Sequence, residues 1–399
     1  MGSWHCKIDI HRTFVLQPTR PHTVFGVGAL AGIDDILDKL RQGGCDAVLV
    51  VTDPLAYKAS GAWDTVRPAL DRHMPWEHYD GVRSNPTYAN CDAAATTGRA
   101  MAAKAVLAIG GGSAIDTAKT AAVLLAHPGK KAVDFYEKHA PITAALPIIA
   151  INTTHGTGSE CNAYAVAQTD GADKPVIHSP HLYPTWVIED PALTVTLPAR
   201  QAVATAIDAL SHALEAATAA TASPYTICLA KEAVCLITAW LPTALRQPGN
   251  LAARYWLMYA SAIAGIGFDL GMLHIAHALE HVMSTLNADV AHGDGLGLLL
   301  PAVLAEIYPA APEVLAEVLR PIAPELKGLP GEADRAVAGL RQWFACIGQP
   351  SGMSAYFTGA DVPALTRMVM KSCLSKTLLP LAPIRVDTAV VERIFQQAL

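Results

Sequence analysis

The first half of the chain contains short apolar runs without polar interruptions, at residues 47–53, 105–113 and 147–154. A strand that is apolar at every position, rather than at alternate positions, is typical of a parallel sheet covered by helices on both faces. Between these runs, residues 92–104 and 113–126 carry good helix formers at helical spacing. The pattern therefore predicts a doubly wound α/β domain.

From about Leu197 onward the pattern changes to long helical stretches, and strand signals largely vanish. It predicts helices over residues 198–222, 225–247, 250–264, 274–286, 310–325, 332–346 and 363–376. The segment 189–200 contains two prolines and offers the best boundary. We therefore predict an α/β N-terminal domain over residues 1–196 and an all-α C-terminal domain over residues 197–399.

Composition narrows the class of protein. Apolar residues make up 52% of the chain and charged residues 16%, which is typical of a folded globular protein. The net charge is −6 and the basic residues are dispersed, so we expect no nucleic-acid partner. The N-terminus lacks an apolar signal segment, and the apolar stretch 233–245 is short and interrupted by proline, so we expect neither export nor membrane insertion. Eight cysteines without a C-x-x-C pair indicate reduced, mostly buried thiols in a cytoplasmic protein.

A glycine-rich turn follows the second apolar run. Gly110, Gly111 and Gly112 lead into Ser113, which opens a helix that carries Asp116 in its first turn. Glycines let a ligand approach the backbone closely, and the free N–H groups at a helix start attract a pyrophosphate. Because the turn lies at the carboxyl end of a predicted parallel strand, it indicates a dinucleotide site; the alternative is an ordinary tight β–α turn.

Asp53 ends the first of the predicted strands. A carboxylate at such a strand end can accept hydrogen bonds from a ribose diol and repels a 2′-phosphate. The alternative is a helix N-cap or an Asx turn before Pro54.

Histidine is unusually frequent, with 15 residues in the chain. Asp208 and His212 are four residues apart in a predicted helix, so they share a face and can reach one ion. Further histidines at helical spacing, or close after it, are His274, His277, His281 and His292. Three imidazoles and one carboxylate suit Fe(II) or Zn(II), but spacing alone leaves five histidines for three places.

Taken together, these motifs resemble the iron-containing (group III metal-dependent) alcohol dehydrogenase family. The resemblance extends over roughly residues 20–310 and includes GGGSAIDTAK, TTHGTGSE, EDPALTVTLP, IDALSHALEA and HALEHVMSTLNADVAHGDG. It implies a dinucleotide-binding domain and a metal-binding and substrate domain, with the active site in the cleft between them. The implied reaction is hydride transfer between a nicotinamide and an alcohol or aldehyde whose oxygen the metal ion polarises.

The resemblance also implies individual roles. The metal ligands fall on Asp208, His212, His277 and His292. His274 is the alternative to His277, because the interval from His277 to His292 is one residue longer than the family pattern. Cofactor contacts fall on Asp53, Asn85, Gly111, Gly112, Ser113, Asp116, Thr153, Thr154 and Lys174. An acid at the position of Asp53 goes with NAD(H) rather than NADP(H). His281, one helical turn from His277, is the expected catalytic proton relay; the alternative is that it orients a ligand.

His155 stands where the family usually has a small residue, close to Asn162. This predicts a short polar or anionic aldehyde, such as a phosphonate-bearing one; the alternative is that His155 only caps its loop. We expect a small-molecule substrate and a homodimer or larger homo-oligomer. Two rival functions are a dehydroquinate-synthase-like lyase, which would need a basic pocket, and a metal-dependent hydrolase, which would leave the glycine turn unexplained.

Overall fold

The structure, a computed structural model, describes His11 and residues 14–15, 21–169 and 174–399. Within these residues, one sheet is built from β1 (Phe14–Val15), β2 (His22–Phe25), β3 (Val48–Thr52), β4 (Trp76–Tyr79), β5 (Ala105–Gly110), β6 (Ile148–Asn152) and β9 (Trp186–Glu189). The strand order is β1-β2-β9-β6-β5-β3-β4, and all pairs are parallel except β1 with β2. A separate antiparallel pair joins β7 (Tyr164–Val166) and β8 (Val176–His178).

The central strands are apolar throughout because both faces of the sheet are covered. In β3, Val48 and Val50 pack into the core on one face, whereas Leu49 and Val51 pack into the core on the other. The covering helices are α1 (Ile33–Gln42), α2 (Ala56–Ala59), α3 (Ala62–His73), α4 (Tyr88–Ala100), α5 (Gly112–Ala126) and α6 (Ala132–Tyr136). The predicted doubly wound α/β architecture is confirmed.

From Ala199 onward the described chain is helical, as predicted. Its helices are α7 (Ala199–Thr218), α8 (Pro224–Arg246), α9 (Leu251–Gly271), α10 (Ile275–Leu286), α11 (His292–Ile307), α12 (Pro312–Val318), α13 (Ala333–Ile347), α14 (Val362–Lys371), α15 (Cys373–Leu378) and α16 (Thr388–Ala398). Helix α7 lies at the centre, in contact with α8, α9 and α11, and its residues 202–218 are all buried.

Three helical predictions differ from the structure. Helix α11 was not predicted, because Gly293, Gly295, Gly297 and Pro301 lower the intrinsic helix propensity of that segment. Its burial against α7, α10, α13 and α16 compensates. Helix α16 was also missed, and the segment predicted as one helix over 310–325 contains only α12 as α-helix.

Helix α8 is long and apolar enough to cross a bilayer, and α9 and α10 together would qualify only as a pair bent by 107°. Helix α8 packs Val234, Leu236, Ile237 and Leu241 into the core of the helical domain, and core helices meet the same criterion of length and hydropathy. The prediction of mostly buried thiols is wrong, since only two of the seven described cysteines, Cys91 and Cys161, are buried.

Candidate active site

A cavity of about 2250 Å³ lies between the carboxyl edge of the sheet and the helical domain. Strands β3, β5 and β6 all end at this cavity, as expected for a ligand site in a doubly wound sheet. Nearly all of the predicted site residues line it: Asp53, Asn85, Gly111, Gly112, Ser113, Asp116, Thr153, Thr154, Asn162, Lys174, Asp208, His212, His277, His281 and His292. The exception is His155.

Four predicted metal ligands converge at the helical side of the cavity. The Oδ1 atom of Asp208 lies 3.3 Å from Nε2 of His212, 3.6 Å from Nε2 of His277 and 3.5 Å from Nε2 of His292. The rings of His212 and His277 stack with centroids 4.7 Å apart. We call these four residues the quartet.

Three helices hold the quartet together. Helix α7 contributes Asp208 and His212 on one face, as their spacing predicts. A sharp turn at Met272, which has a φ of +66°, redirects the chain between α9 and α10 and brings His277 against α7. His292 opens α11, and Gly293 next to it packs so closely on α7 that a Cβ atom would lie 1.9 Å from the carbonyl oxygen of Ala204.

The donor atoms of the quartet fit a divalent transition ion. Asp208 Oδ1 and His277 Nε2 are buried and have no hydrogen-bond partner among the described groups. Buried polar atoms without partners are costly, so their convergence indicates a missing ligand. One carboxylate oxygen and three imidazole nitrogens form a donor set that suits Fe(II) or Zn(II).

The charges of the quartet depend on one another. Burial alone would raise the pKa of Asp208, but the neighbouring imidazoles outweigh burial and hold that pKa below its ordinary value. Burial lowers the pKa of His212 to about 4. Burial also acts to lower the pKa of His277, yet the neighbouring carboxylates of Asp208 and Glu215 outweigh burial and raise the value to about 9. The Asp208 carboxylate is therefore ionised and available as a ligand at neutral pH.

The two remaining histidines of this region take different places. His274 forms the N-cap of α10, where Nδ1 accepts from the backbone N–H of Ile275 and Nε2 lies 2.9 Å from Thr218 Oγ1. Both nitrogens of His274 are thus occupied away from the quartet. His281 lines the cavity, with its ring centroid 5.3 Å from that of His292.

The opposite end of the cavity fits the pyrophosphate and ribose of a dinucleotide. Helix α5 begins after Gly111, and no side chain caps it, so its first N–H groups are available to an anion at the cavity wall. Asp53 Oδ1 accepts from the backbone N–H groups of Leu55 and Ala56, at 2.8 Å and 2.6 Å. Asp53 therefore forms the Asx turn that was the alternative to a ribose contact. Its other carboxylate oxygen takes no part in that turn.

Two other predicted cofactor residues make internal hydrogen bonds. Asp116 accepts from Ser159 Oγ at 2.5 Å and from the backbone N–H of Val166 at 3.0 Å, which secures the loop after β6. Lys174 donates to Asn85 Oδ1 at 2.9 Å and to Ser284 Oγ at 2.5 Å, and so joins the two sides of the cavity.

His155 does not line the cavity. Its ring is buried between α7 and α9, with Nδ1 3.3 Å from Thr205 Oγ1 and Nε2 3.3 Å from the Arg254 guanidinium, which donates to it. Burial, assisted by Arg254, lowers the pKa of His155 to about 3 and keeps the ring neutral. Asn162 does line the cavity, but its side chain donates to Gly158 O and accepts from Tyr164 N. The contacts of His155 and Asn162 therefore do not support the predicted polar substrate.

Sequence reasoning missed three residues of this region. Glu215 and Glu280 hydrogen-bond to quartet histidines, and Phe268 lies over His212 with ring centroids 4.5 Å apart. Glu215 follows Asp208 by seven residues on α7, and this same-face spacing was the one signal available in the sequence.

The sequence matches two family models. Residues 20–191 match "Iron-containing alcohol dehydrogenase", and residues 202–399 match "Fe-containing alcohol dehydrogenase family, C-terminal". The chain belongs to the iron-containing alcohol dehydrogenase family. It is a metal-dependent alcohol dehydrogenase or aldehyde reductase, and neither the dehydroquinate-synthase-like lyase nor the metal-dependent hydrolase is favoured.

Relatives of this alcohol dehydrogenase cover most or nearly all of its length. It is 46% identical to the long-chain primary alcohol dehydrogenase AdhA of Thermoanaerobacter ethanolicus, over 99% of this chain and 100% of the relative. It is 31% identical to the NAD-dependent methanol dehydrogenase of Bacillus methanolicus, over 83% and 87% of the two chains. The crystal structure of the NADH-dependent butanol dehydrogenase A of Thermotoga maritima matches with a TM-score of 0.84 and 27% identity, over 98% and 99%.

Proposed function

We propose that this enzyme interconverts apolar primary alcohols and aldehydes with NAD(H), and that Asp208, His212, His277 and His292 hold Fe(II) or Zn(II). The observation that carries the proposal is the quartet itself, in which Asp208 Oδ1 lies within 3.6 Å of all three imidazole Nε2 atoms. The quartet shares one cavity with the uncapped start of α5. Metal and dinucleotide can thus be bound on opposite walls of one cleft.

When bound, the metal ion polarises the alcohol oxygen and the nicotinamide accepts the hydride. The chain's own residues orient these groups and move the proton. His281 lines the same cavity, and its ring centroid lies 5.3 Å from that of His292. An imidazole next to the quartet can pass a proton between the substrate side of the cavity and solvent.

For the cofactor we propose NAD(H) in preference to NADP(H). The carboxylate of Asp53 is held at the end of β3, at the cavity wall, by two backbone N–H groups. An ionised carboxylate there would repel a 2′-phosphate. Two relatives support this choice, since one is named as NAD-dependent and another as NADH-dependent.

For the substrate we propose an apolar tail instead of an anionic one. Aromatic and aliphatic side chains form part of the wall of the same cavity: Tyr164, Val166, Phe268, Met272, Leu273, Leu374 and Leu378. Phe268 contacts His212 directly, so this wall begins at the proposed metal ligand. Of the nearby cations, Lys174 already donates to Asn85 and Ser284, and Arg200 pairs with Asp294 at 2.9 Å.

The proposal is tested by NADH oxidation with a series of straight-chain aldehydes and with sulfonate- and phosphonate-bearing aldehydes. Burial of each CH₂ contributes about 0.8 kcal/mol, so kcat/KM should rise about fourfold per CH₂ until the wall is filled. If the enzyme turns over only the anionic aldehydes, the assignment of an apolar substrate is wrong.

The metal site is tested with His277→Ala. This variant should lose bound metal and turnover while NADH binding, followed by fluorescence, stays near the wild-type level. His181→Ala, at an exposed position outside the cavity lining, is the matched control. Retention of wild-type metal content by His277→Ala would refute the ligand assignment. The homo-oligomer and the cytoplasmic location stay predictions.

A further inference from the structure

His277 is held by a carboxylate on the side of its ring that faces away from Asp208. Its Nδ1 lies 2.5 Å from Oε2 of Glu215, and both side chains are at most 3% exposed. An ionised carboxylate only accepts hydrogen bonds, so Nδ1 carries the hydrogen in the neutral ring. In that neutral form the lone pair of His277 is on Nε2, which lies 3.6 Å from Asp208 Oδ1.

His292 is held in the same way by a second carboxylate. Its Nδ1 is hydrogen-bonded to Oε2 of Glu280, which is fully buried on α10, and its Nε2 lies 3.5 Å from Asp208 Oδ1. Gly295 on α11 leaves room for this carboxylate. A Cβ atom at Gly295 would lie 2.9 Å from Cγ and 3.1 Å from Oε1 of Glu280.

The Glu215 carboxylate is itself fixed by the fold. Glu215 Oε1 accepts from the backbone N–H of Ala276 at 2.6 Å and lies 3.1 Å from Nδ1 of His274. The start of α10 thus anchors Glu215 on α7.

His212 differs from the other two quartet histidines. Its Nδ1 is buried and has no hydrogen-bond partner among the described groups. Ring packing holds it instead, between Phe268 at 4.5 Å and His277 at 4.7 Å between centroids. The quartet therefore contains two rings oriented by carboxylates and one oriented by packing alone.

We infer that Glu215 and Glu280 are positioning residues that make two of the three imidazoles strong ligands. Each carboxylate selects the tautomer with a free Nε2, fixes the ring orientation towards Asp208 and increases the basicity of the ring. The inference rests on the proposed metal site and concerns residues that do not themselves touch the ion. Loss of such a carboxylate weakens metal binding by about 10- to 100-fold.

The test compares Glu215→Gln and Glu280→Gln with the wild type. Co(II) and Zn(II) dissociation constants are measured by competition with a chelator, and the visible absorption of the Co(II) enzyme is recorded at saturating metal. Glutamine keeps the shape but removes the charge, so both variants should bind metal about 10- to 100-fold more weakly and show shifted Co(II) bands. NADH binding by fluorescence should be unchanged, which shows that the cofactor domain is folded.

Glu332→Gln is the matched control. Glu332 is 4% exposed and accepts from the backbone N–H groups of Lys327 and Leu329, outside the cavity lining. Its loss tests the effect of removing any buried carboxylate, and metal affinity should stay within about twofold of the wild type. A second variant, Gly295→Ala, displaces Glu280 without removing it and should weaken metal binding in the same direction.

Two failures can be told apart. If His277→Ala retains metal, the proposed metal site is wrong. If His277→Ala loses metal while both glutamine variants keep wild-type dissociation constants and Co(II) spectra, the site stands and the positioning inference is overturned. Equal weakening in Glu332→Gln would likewise overturn it, because the effect would then follow from general destabilisation.

Discussion

The contact between α11 and α7 gives a sharp test of how the quartet is assembled. In a Gly293→Ala variant the new Cβ atom would lie 1.9 Å from the carbonyl oxygen of Ala204. Ala204 lies one helical turn before Asp208 on α7, and Gly293 directly follows His292. The substitution therefore forces apart two helix segments that each carry a proposed ligand.

The size of the displacement follows from the contact distance. Cβ atoms essentially never approach a heavy atom within 3.0 Å, so the start of α11 must retreat by about 1 Å or rotate. Metal–ligand distances tolerate only about 0.2 Å. A misplacement of about 1 Å can reduce turnover by roughly 100-fold, and overpacking costs about 1–3 kcal/mol of folding free energy.

The assay measures metal content, kcat and thermal unfolding for Gly293→Ala beside a control on the same helix. In Gly297→Ala the new Cβ atom would lie 2.4 Å from Nε2 of Gln349, the end of a side chain that can rotate away. We expect the control to lose some stability but to keep wild-type metal affinity. Gly293→Ala should lose both stability and metal affinity.

Wild-type metal binding and turnover in Gly293→Ala would show that the close approach of α11 to α7 does not position the quartet. Equal losses of metal affinity in Gly293→Ala and Gly297→Ala would count against that positioning role as well, because the effect would then not depend on the rigid backbone of α7.

Three further predictions concern the cofactor, the substrate and pH. Asp53→Gly should raise the ratio of kcat/KM with NADPH to that with NADH, because the carboxylate is lost while Arg83 remains at the cavity wall; an unchanged ratio would contradict the role of Asp53. Phe268→Ala removes a bulky side chain from the cavity wall, so kcat/KM for a branched aldehyde should rise roughly tenfold relative to its straight-chain isomer. An unaltered preference in steady-state kinetics with both isomers would contradict the role of Phe268. His155 has its pKa lowered from 6.5 to about 3 by burial, so the unfolded chain binds a proton that the folded chain does not, and stability is lost as pH falls from about 6.5 towards 3. His155→Gln should flatten this loss by up to about 1.4 kcal/mol per pH unit, measured as the pH dependence of thermal unfolding; a parallel profile would argue against a buried neutral His155.

The core strands of the sheet could be predicted because their chemistry is local. Every residue of β3, β5 and β6 is buried, and such continuous burial requires a continuous apolar run. Strand β4 has an exposed Glu77 and half-buried neighbours, so its pattern resembles that of many surface segments. Helix α11 contains three glycines and a proline, and it is stabilised by packing that no local window reveals.

Residue types and their spacing along the chain indicate which side chains could bind metal and dinucleotide, and which of them share a helix face. Spacing placed Asp208 with His212, because four residues make about one turn of a helix. It could not choose among five histidines, since that choice depends on how separate helices cross. The turn at Met272 brings His277 to α7, and the close approach at Gly293 brings His292 to Asp208.

Tertiary structure alone decided the surroundings of the site. It placed Glu215 and Glu280 behind two proposed ligands, and it buried His155 against Arg254 outside the cavity. These contacts join residues on different elements, up to 99 positions apart, so only the packing of those elements brings the partners together.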